Sequence, residues 1–152
     1  MTRISAAETK WIDTTLAGLA TALFIGGSAM AQSLPTPAEQ EVLAKTTILT
    51  LNNANLTGDY EVLHAKLSKP FRDQFDADKL AETFKDFVDK QLDLSPIADR
   101  PAVSDVEAQI DGDGVLTLGG HFATSPKQVK HQLGFIRSDG EWKPVGIKVD
   151  VE

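Results

Sequence analysis

The chain has 152 residues, no cysteine, and 22 Asp and Glu against 15 Lys and Arg, a formal net charge of −7. Without thiols there is no disulfide framework, no thiolate chemistry and no lipid attachment at cysteine. The acidic balance argues against nucleic acid or an anionic membrane surface as a partner, because phosphate binding draws its affinity from clustered Lys and Arg; the charge serves solubility instead.

Residues 1–31 read as an export leader. Arg3 and Lys10 supply positive charge, although Glu8 and Asp13 offset it formally; Leu16 to Ile25 form the apolar middle, and Ala29 and Ala31 flank Met30 as small peptidase-site residues. The apolar run is about half of the roughly 20 residues that span a bilayer. Cleavage is expected between Ala31 and Gln32, which sends residues 32–152 to the periplasm or the cell exterior as one domain with no membrane contact.

Thr36-Pro37-Ala38-Glu39 carries a capping hydroxyl, proline at the first helical position and an acid three residues after the cap, so a first helix starts there. Val42, Leu49 and Leu56 recur at seven-residue intervals, with Ile48 and Leu51 beside them, and predict the core-facing stripe up to a left-handed stop at Gly58. Asp59 caps a second helix with Tyr60, Leu63, His64 and Leu67 at helical spacing, ended by Pro70. A third helix follows Asp76 and places Leu80, Phe84, Phe87 and Val88 on one face. Residues 93–101, with Pro96 and Pro101, form a connection.

The apolar period then changes from about 3.6 to 2. Val106, Ala108 and Ile110 alternate with polar residues, and Asp111-Gly112-Asp113-Gly114 reverses the chain into Leu116, Leu118, Gly120 and Phe122. Val129, His131, Leu133 and Phe135 share one face of a third strand, and Asp139-Gly140 turns into a fourth with Val145, Ile147, Val149 and Val151. Trp142 is out of phase with that set, which together with Pro144 predicts a bulge or edge position near residue 143. The expected fold class is α+β: three N-terminal helices packed on a four-stranded antiparallel meander.

This element order, Gly58-Asp59-Tyr60 between the first two helices, and the ending Asp139-Gly140-Glu141-Trp142-Lys143-Pro144-Val145-Gly146-Ile147 resemble the nuclear-transport-factor-two-like superfamily over residues 36–152. The resemblance implies a curved sheet wrapped by helices into a cone whose open end holds a small apolar ligand, and dimers formed through the sheet. It also implies that enzymes of the group set an Asp, a His or an Asp-His pair inside the cone.

Function then turns on the polar groups of the pocket. His131, between Val129 and Leu133 on an apolar strand face, is the best-placed base, with Tyr60 or His64 as a hydrogen-bond donor. The same position suits a core-edge histidine satisfied by a carbonyl or water. Phe84, Phe87, Phe135 and Trp142 join His131 as ligand-facing candidates among aromatics that mostly fill the core. The strand carboxylates Asp105, Glu107 and Asp150 alternate away from the apolar set, so no pocket carboxylate is apparent. Asp111-Gly112-Asp113-Gly114 begins like a calcium loop, but Val115 and Phe122 stand where oxygen ligands are needed. The histidines show no zinc spacing, no serine sits in a nucleophile elbow, and Gly26-Gly27-Ser28 belongs to the leader rather than to a phosphate loop. Neither a metal nor another cofactor is therefore expected. The leading expectation is a non-catalytic domain that binds a small apolar ligand or a protein; the alternative is an isomerase, dehydratase or hydrolase built on a pocket histidine. The outer sheet face, with Thr117, His121, Lys130, Gln132 and Ile136, is a candidate homodimer seam.

Overall fold

The computed structural model describes residues 32–152 and the backbone of Ile4–Ser5; the expected leader and its cleavage point at Ala31 otherwise lie outside the described residues. In chain order the elements are β1 (Ile4–Ser5), α1 (Pro37–Thr57), α2 (Glu61–Lys66), α3 (Lys69–Gln74), α4 (Ala77–Thr83), α5 (Lys85–Asp89), a 3-10 turn (Ser95–Asp99), β2 (Ala102–Ile110), β3 (Leu116–Phe122), β4 (Val129–Ser138) and β5 (Glu141–Val151). The class is α+β, as the change of period indicates.

α1 begins as its sequence dictates. The Glu39 N–H donates to Thr36 Oγ1 at 3.3 Å and the Thr36 N–H to Glu39 Oε2 at 2.7 Å, a reciprocal cap; Gly58 closes the helix in the left-handed region at φ 74°. The buried face shares only Ile48 and Leu51 with the predicted stripe. Ala44, Thr47, Ile48, Leu51, Asn52, Ala54 and Asn55 face the core, whereas Val42 is 62% and Leu56 63% exposed. α1 carries apolar residues on both sides, so the seven-residue spacing selected the outer one; the inner side uses small and amide residues that let the helix sit close.

Among the described residues five α-helices stand where three were expected. Pro70 does not end a helix but stands in the first turn of α3, where a missing N–H costs nothing, and the preceding Ser68 N–H donates to the Pro144 carbonyl on β5 at 2.8 Å. The segment after Asp76, whose side chain caps Lys79 N at 2.8 Å, breaks at Phe84 into α4 and α5. The break buries Leu80, Phe84 and Phe87 and leaves Val88 exposed. The connection is pinned to α1 by Asn52, whose Nδ2 donates to Asp93 Oδ1 at 3.1 Å and whose Oδ1 accepts from Leu94 N–H at 2.8 Å.

β2 to β5 form an antiparallel meander in the order β5-β4-β3-β2, with Ile4–Ser5 paired to the far edge of β5. The turns match their sequences. Asp139 and Gly140 both have positive φ, 55° and 79°, as a two-residue hairpin turn requires, and Asp111 Oδ1 accepts from the N–H groups of Asp113 and Val115 at 2.9 Å. The expected bulge sits at Val145: Gly134 faces Gly146, yet the next residue Phe135 faces Pro144. Leu116, Leu118, Phe122, Val129, Leu133, Phe135, Ile147 and Val149 form the sheet's share of the core against the helices.

Candidate functional site

His131 lies in the middle of β4, with Gly120 of β3 and Val149 of β5 on either side in register. It shares its face with the buried Val129, Leu133 and Phe135 and its ring lies 5.2 Å from that of Phe122. Space opens beside it for a backbone reason. β2 bulges between Ser104 and Val106 and turns the Val103 carbonyl over Gly120, where any Cβ would collide with it. The first turns of α1, Pro37, Ala38, Gln40, Glu41 and Ala44, form the opposite wall. The half-open cavity measures about 210 Å³, with Val103, Ser104, Val106 and Gly119 at its β2–β3 side and His131 as its one imidazole.

The electrostatics of the cavity follow from burial. His131 is only 8% exposed, and desolvation drives its pKa down from 6.5 to about 4; Asp105 opposes this weakly and His121 adds to it. The ring is therefore uncharged at neutral pH, one nitrogen a donor and the other an acceptor. Its Nδ1 is buried and has no hydrogen-bond partner. Two further polar residues of the wall are already engaged: Gln40 Nε2 donates to the Pro35 carbonyl at 2.8 Å, and Glu41 pairs with Lys45 at 2.7 Å. The Lys45 ammonium beside Glu41 holds that carboxyl below its usual range.

The other predicted site residues lie elsewhere. Tyr60 is buried between α1 and α2, its hydroxyl donating to Asn55 Oδ1 at 2.5 Å, and burial pushes the phenol up. His64 is half-buried with Nε2 3.5 Å from the Arg72 carbonyl. Neither lines the cavity of His131. Phe84 and Phe87 pack edge to face at 6.2 Å inside the core. Phe135 and Trp142 line a separate groove between α1 and the β4–β5 hairpin, where depressions of about 610 and 410 Å³ share Val42, Leu43, Glu141 and Trp142. The Arg137 guanidinium lies over the Trp142 ring at 5.0 Å.

Sequence reasoning missed the α1 wall. Pro37, Gln40, Glu41 and Ala44 recur at three- and four-residue spacing and continue the buried side of α1, a signal masked by the seven-residue apolar spacing of Val42, Leu49 and Leu56. It also missed that His121 Nδ1 meets both Asp105 oxygens, at 2.8 and 2.9 Å, on the outer sheet face. Among the described residues no group of three His, Asp or Glu could hold a metal ion, and no helix is long and apolar enough to cross a membrane. No protein-family model, curated protein or solved structure matches the chain.

Proposed function

We propose that the protein, exported by its leader, binds a small uncharged ligand without transforming it, in the cavity between α1 and the β2–β4 face. One observation carries the reading: a neutral imidazole, His131, lines a cavity of about 210 Å³ and keeps a buried nitrogen unpaired. A cavity of about 150 Å³ accommodates benzene, so this one suits a molecule on the order of ten heavy atoms with one hydroxyl, carbonyl or amide for the ring. The order of helices followed by an antiparallel meander supports the resemblance to the nuclear-transport-factor-two-like superfamily, with its ligand-holding cone. Catalysis is the weaker reading: a base held near pH 4 accepts protons poorly at neutrality, and Tyr60 and His64 do not reach its cavity.

The test is native mass spectrometry of protein purified from its own compartment, followed by proton NMR of the His131 ring during titration with a library of neutral monocyclic alcohols, ketones and amides. The expected result is a retained or titratable molecule that shifts the His131 resonances and binds at least tenfold more weakly to H131F. A library that leaves those resonances unmoved defeats the proposal.

A further inference from the structure

β2 carries one residue more than β3 where the two strands border the cavity. Ser104 faces Gly120 and Val106 faces Gly119, so Asp105 between them is the surplus residue of a bulge. A bulge leaves one residue without a ladder partner, and the surplus could equally fall on Ser104 or Val106. Each choice lays a different run of β2 backbone over β3, because a slip of one residue exchanges the two faces of a strand. The choice made here shapes the cavity: it brings the Val103 carbonyl over Gly120 and sets Val106 3.5 Å from where a Gly119 Cβ would stand. Val103, Ser104, Val106 and Gly119 are the wall beside His131.

What singles out Asp105 lies on the outer face of the sheet. Its carboxylate oxygens stand 2.8 and 2.9 Å from His121 Nδ1, on the strand that the bulge faces. An ionised carboxylate only accepts hydrogen bonds, so Nδ1 carries the proton. The His121 side chain is 20% exposed and that of Asp105 48%. Lys130, opposite His121 on β4, is engaged by Glu152 at 2.6 Å, which leaves His121 as the group in contact with Asp105. The flanking Ser104 and Val106 have no carboxylate, so only one placement of the surplus residue makes this contact.

We propose that His121 and Asp105 form a clasp that sets the register of the β2 bulge from the outer face of the sheet, and so holds the wall of the His131 cavity in place. His121 is then a positioning residue for the ligand site and touches no ligand itself; the inference rests on the reading of that cavity as a binding site. A partly exposed ion pair adds little to the stability of the whole fold. Its leverage is local, because a small preference suffices to decide between neighbouring registers of one strand. The clasp couples the two faces of the sheet: a change at the outer pair alters the inner wall without any contact between His121 and the bound molecule.

The test is amide hydrogen exchange together with NMR of the His131 ring in D105A and H121F, with D105N, H121N and E107A beside them. D105A and H121F each remove one half of the clasp. D105N keeps an acceptor oxygen, and H121N keeps an N–H donor on Cγ, where Nδ1 stands, so both preserve it. E107A deletes an exposed carboxylate two residues further along β2. The expected result is that D105A and H121F speed exchange across residues 103–106 and 119–121 by about tenfold or more and move the His131 ring resonances, while the other three variants keep the native pattern. Unchanged exchange at Leu133 in the core shows that each variant stays folded. Native exchange at the bulge in D105A and H121F, or His131 resonances that do not move, overturns the proposal. So does loss of the native pattern in both D105N and H121N, since the hydrogen bond would then not be what matters. None of these readings needs a bound molecule, so an empty cavity counts against the ligand reading alone.

Discussion

Gly120 of β3 lies directly beneath the carbonyl of Val103 on β2, so close that a Cβ added to it would strike the oxygen and stand 3.1 Å from the Val103 carbonyl carbon and 3.2 Å from Ser104 Cα. The contact follows from the bulge after Ser104, which brings the β2 backbone over the sheet face and shapes the wall beside His131. Backbone cannot rotate away as a side chain can, so G120A must push β2 outward. A loss of about 3 kcal/mol in urea unfolding is expected, at the upper end for an overpacked site. A variant with an unchanged midpoint would show that β2 moves freely.

The depressed His131 pKa sets a pH window. The folded ring resists protonation down to about 4, while the unfolded ring takes a proton near 6.5, so the unfolded state binds more protons between those values. The contribution of His131 is complete above about pH 6.5, declines as pH falls toward 4 and is constant below. It is worth up to about 3 kcal/mol across the window. H131F should flatten the slope of melting temperature against pH between 4 and 6.5 relative to the unaltered protein. Parallel slopes for the two proteins would contradict this.

Asn52 ties α1 to the connection that leads into the sheet. N52A removes the acceptor of the buried Leu94 N–H and one donor to Asp93, whose carboxyl is held below its usual range chiefly by the Ser95 N–H, then by the Ser95 hydroxyl and Asn52. An orphaned buried N–H costs about 1–3 kcal/mol, and N52A should lose that much in chemical unfolding. Hydrogen exchange should also accelerate at the Leu94 amide, and continued protection there would refute the role.

At the N-terminus of α1, T36A deletes one half of a reciprocal cap. The expected cost is about 1 kcal/mol, read as a lower melting temperature with native circular dichroism retained. Because Pro37 and Ala38 line the His131 cavity, the same variant should also weaken ligand binding at that site, while T83A on α4 should leave it unaltered. Equal effects from both substitutions would detach the cap from the cavity.

Local chemistry was legible at most places where a few adjacent residues decide the outcome, the expected Asp59 cap being an exception because Tyr60 stands at the N-cap of α2 without a side-chain cap. The Thr36 cap, the Gly58 stop, the Asp76 cap and the Asp139-Gly140 turn all stand as their sequences dictate, because each depends on contacts within four residues. Element type was legible too, since the period of two places Leu116, Leu118 and Phe122 inward. What was not legible depended on partners distant in sequence. Nothing within α1 distinguishes Leu51, which is buried, from Leu56, which is exposed; the sheet makes that choice. The identity of Pro70 as a helix starter depends on Ser68 meeting Pro144, 76 positions along the chain. At the site, His131 could be placed on the inward face by alternation alone. The cavity beside it could not, because it arises from a β2 bulge and a glycine on the neighbouring strand.

Val145 gives β5 two reading frames. On its C-terminal side Ile147, Val149 and Val151 point toward the helices; on its N-terminal side the even-numbered Pro144 does, opposite Phe135, and Trp142 follows opposite Arg137. The surplus residue is what aims the indole at α1. Deleting Val145 would merge the frames and turn Trp142 and Pro144 to the far side of the sheet, emptying one wall of the groove while leaving the composition of the hairpin almost intact. Length in this strand is therefore as much a determinant of shape as the identity of any side chain it carries.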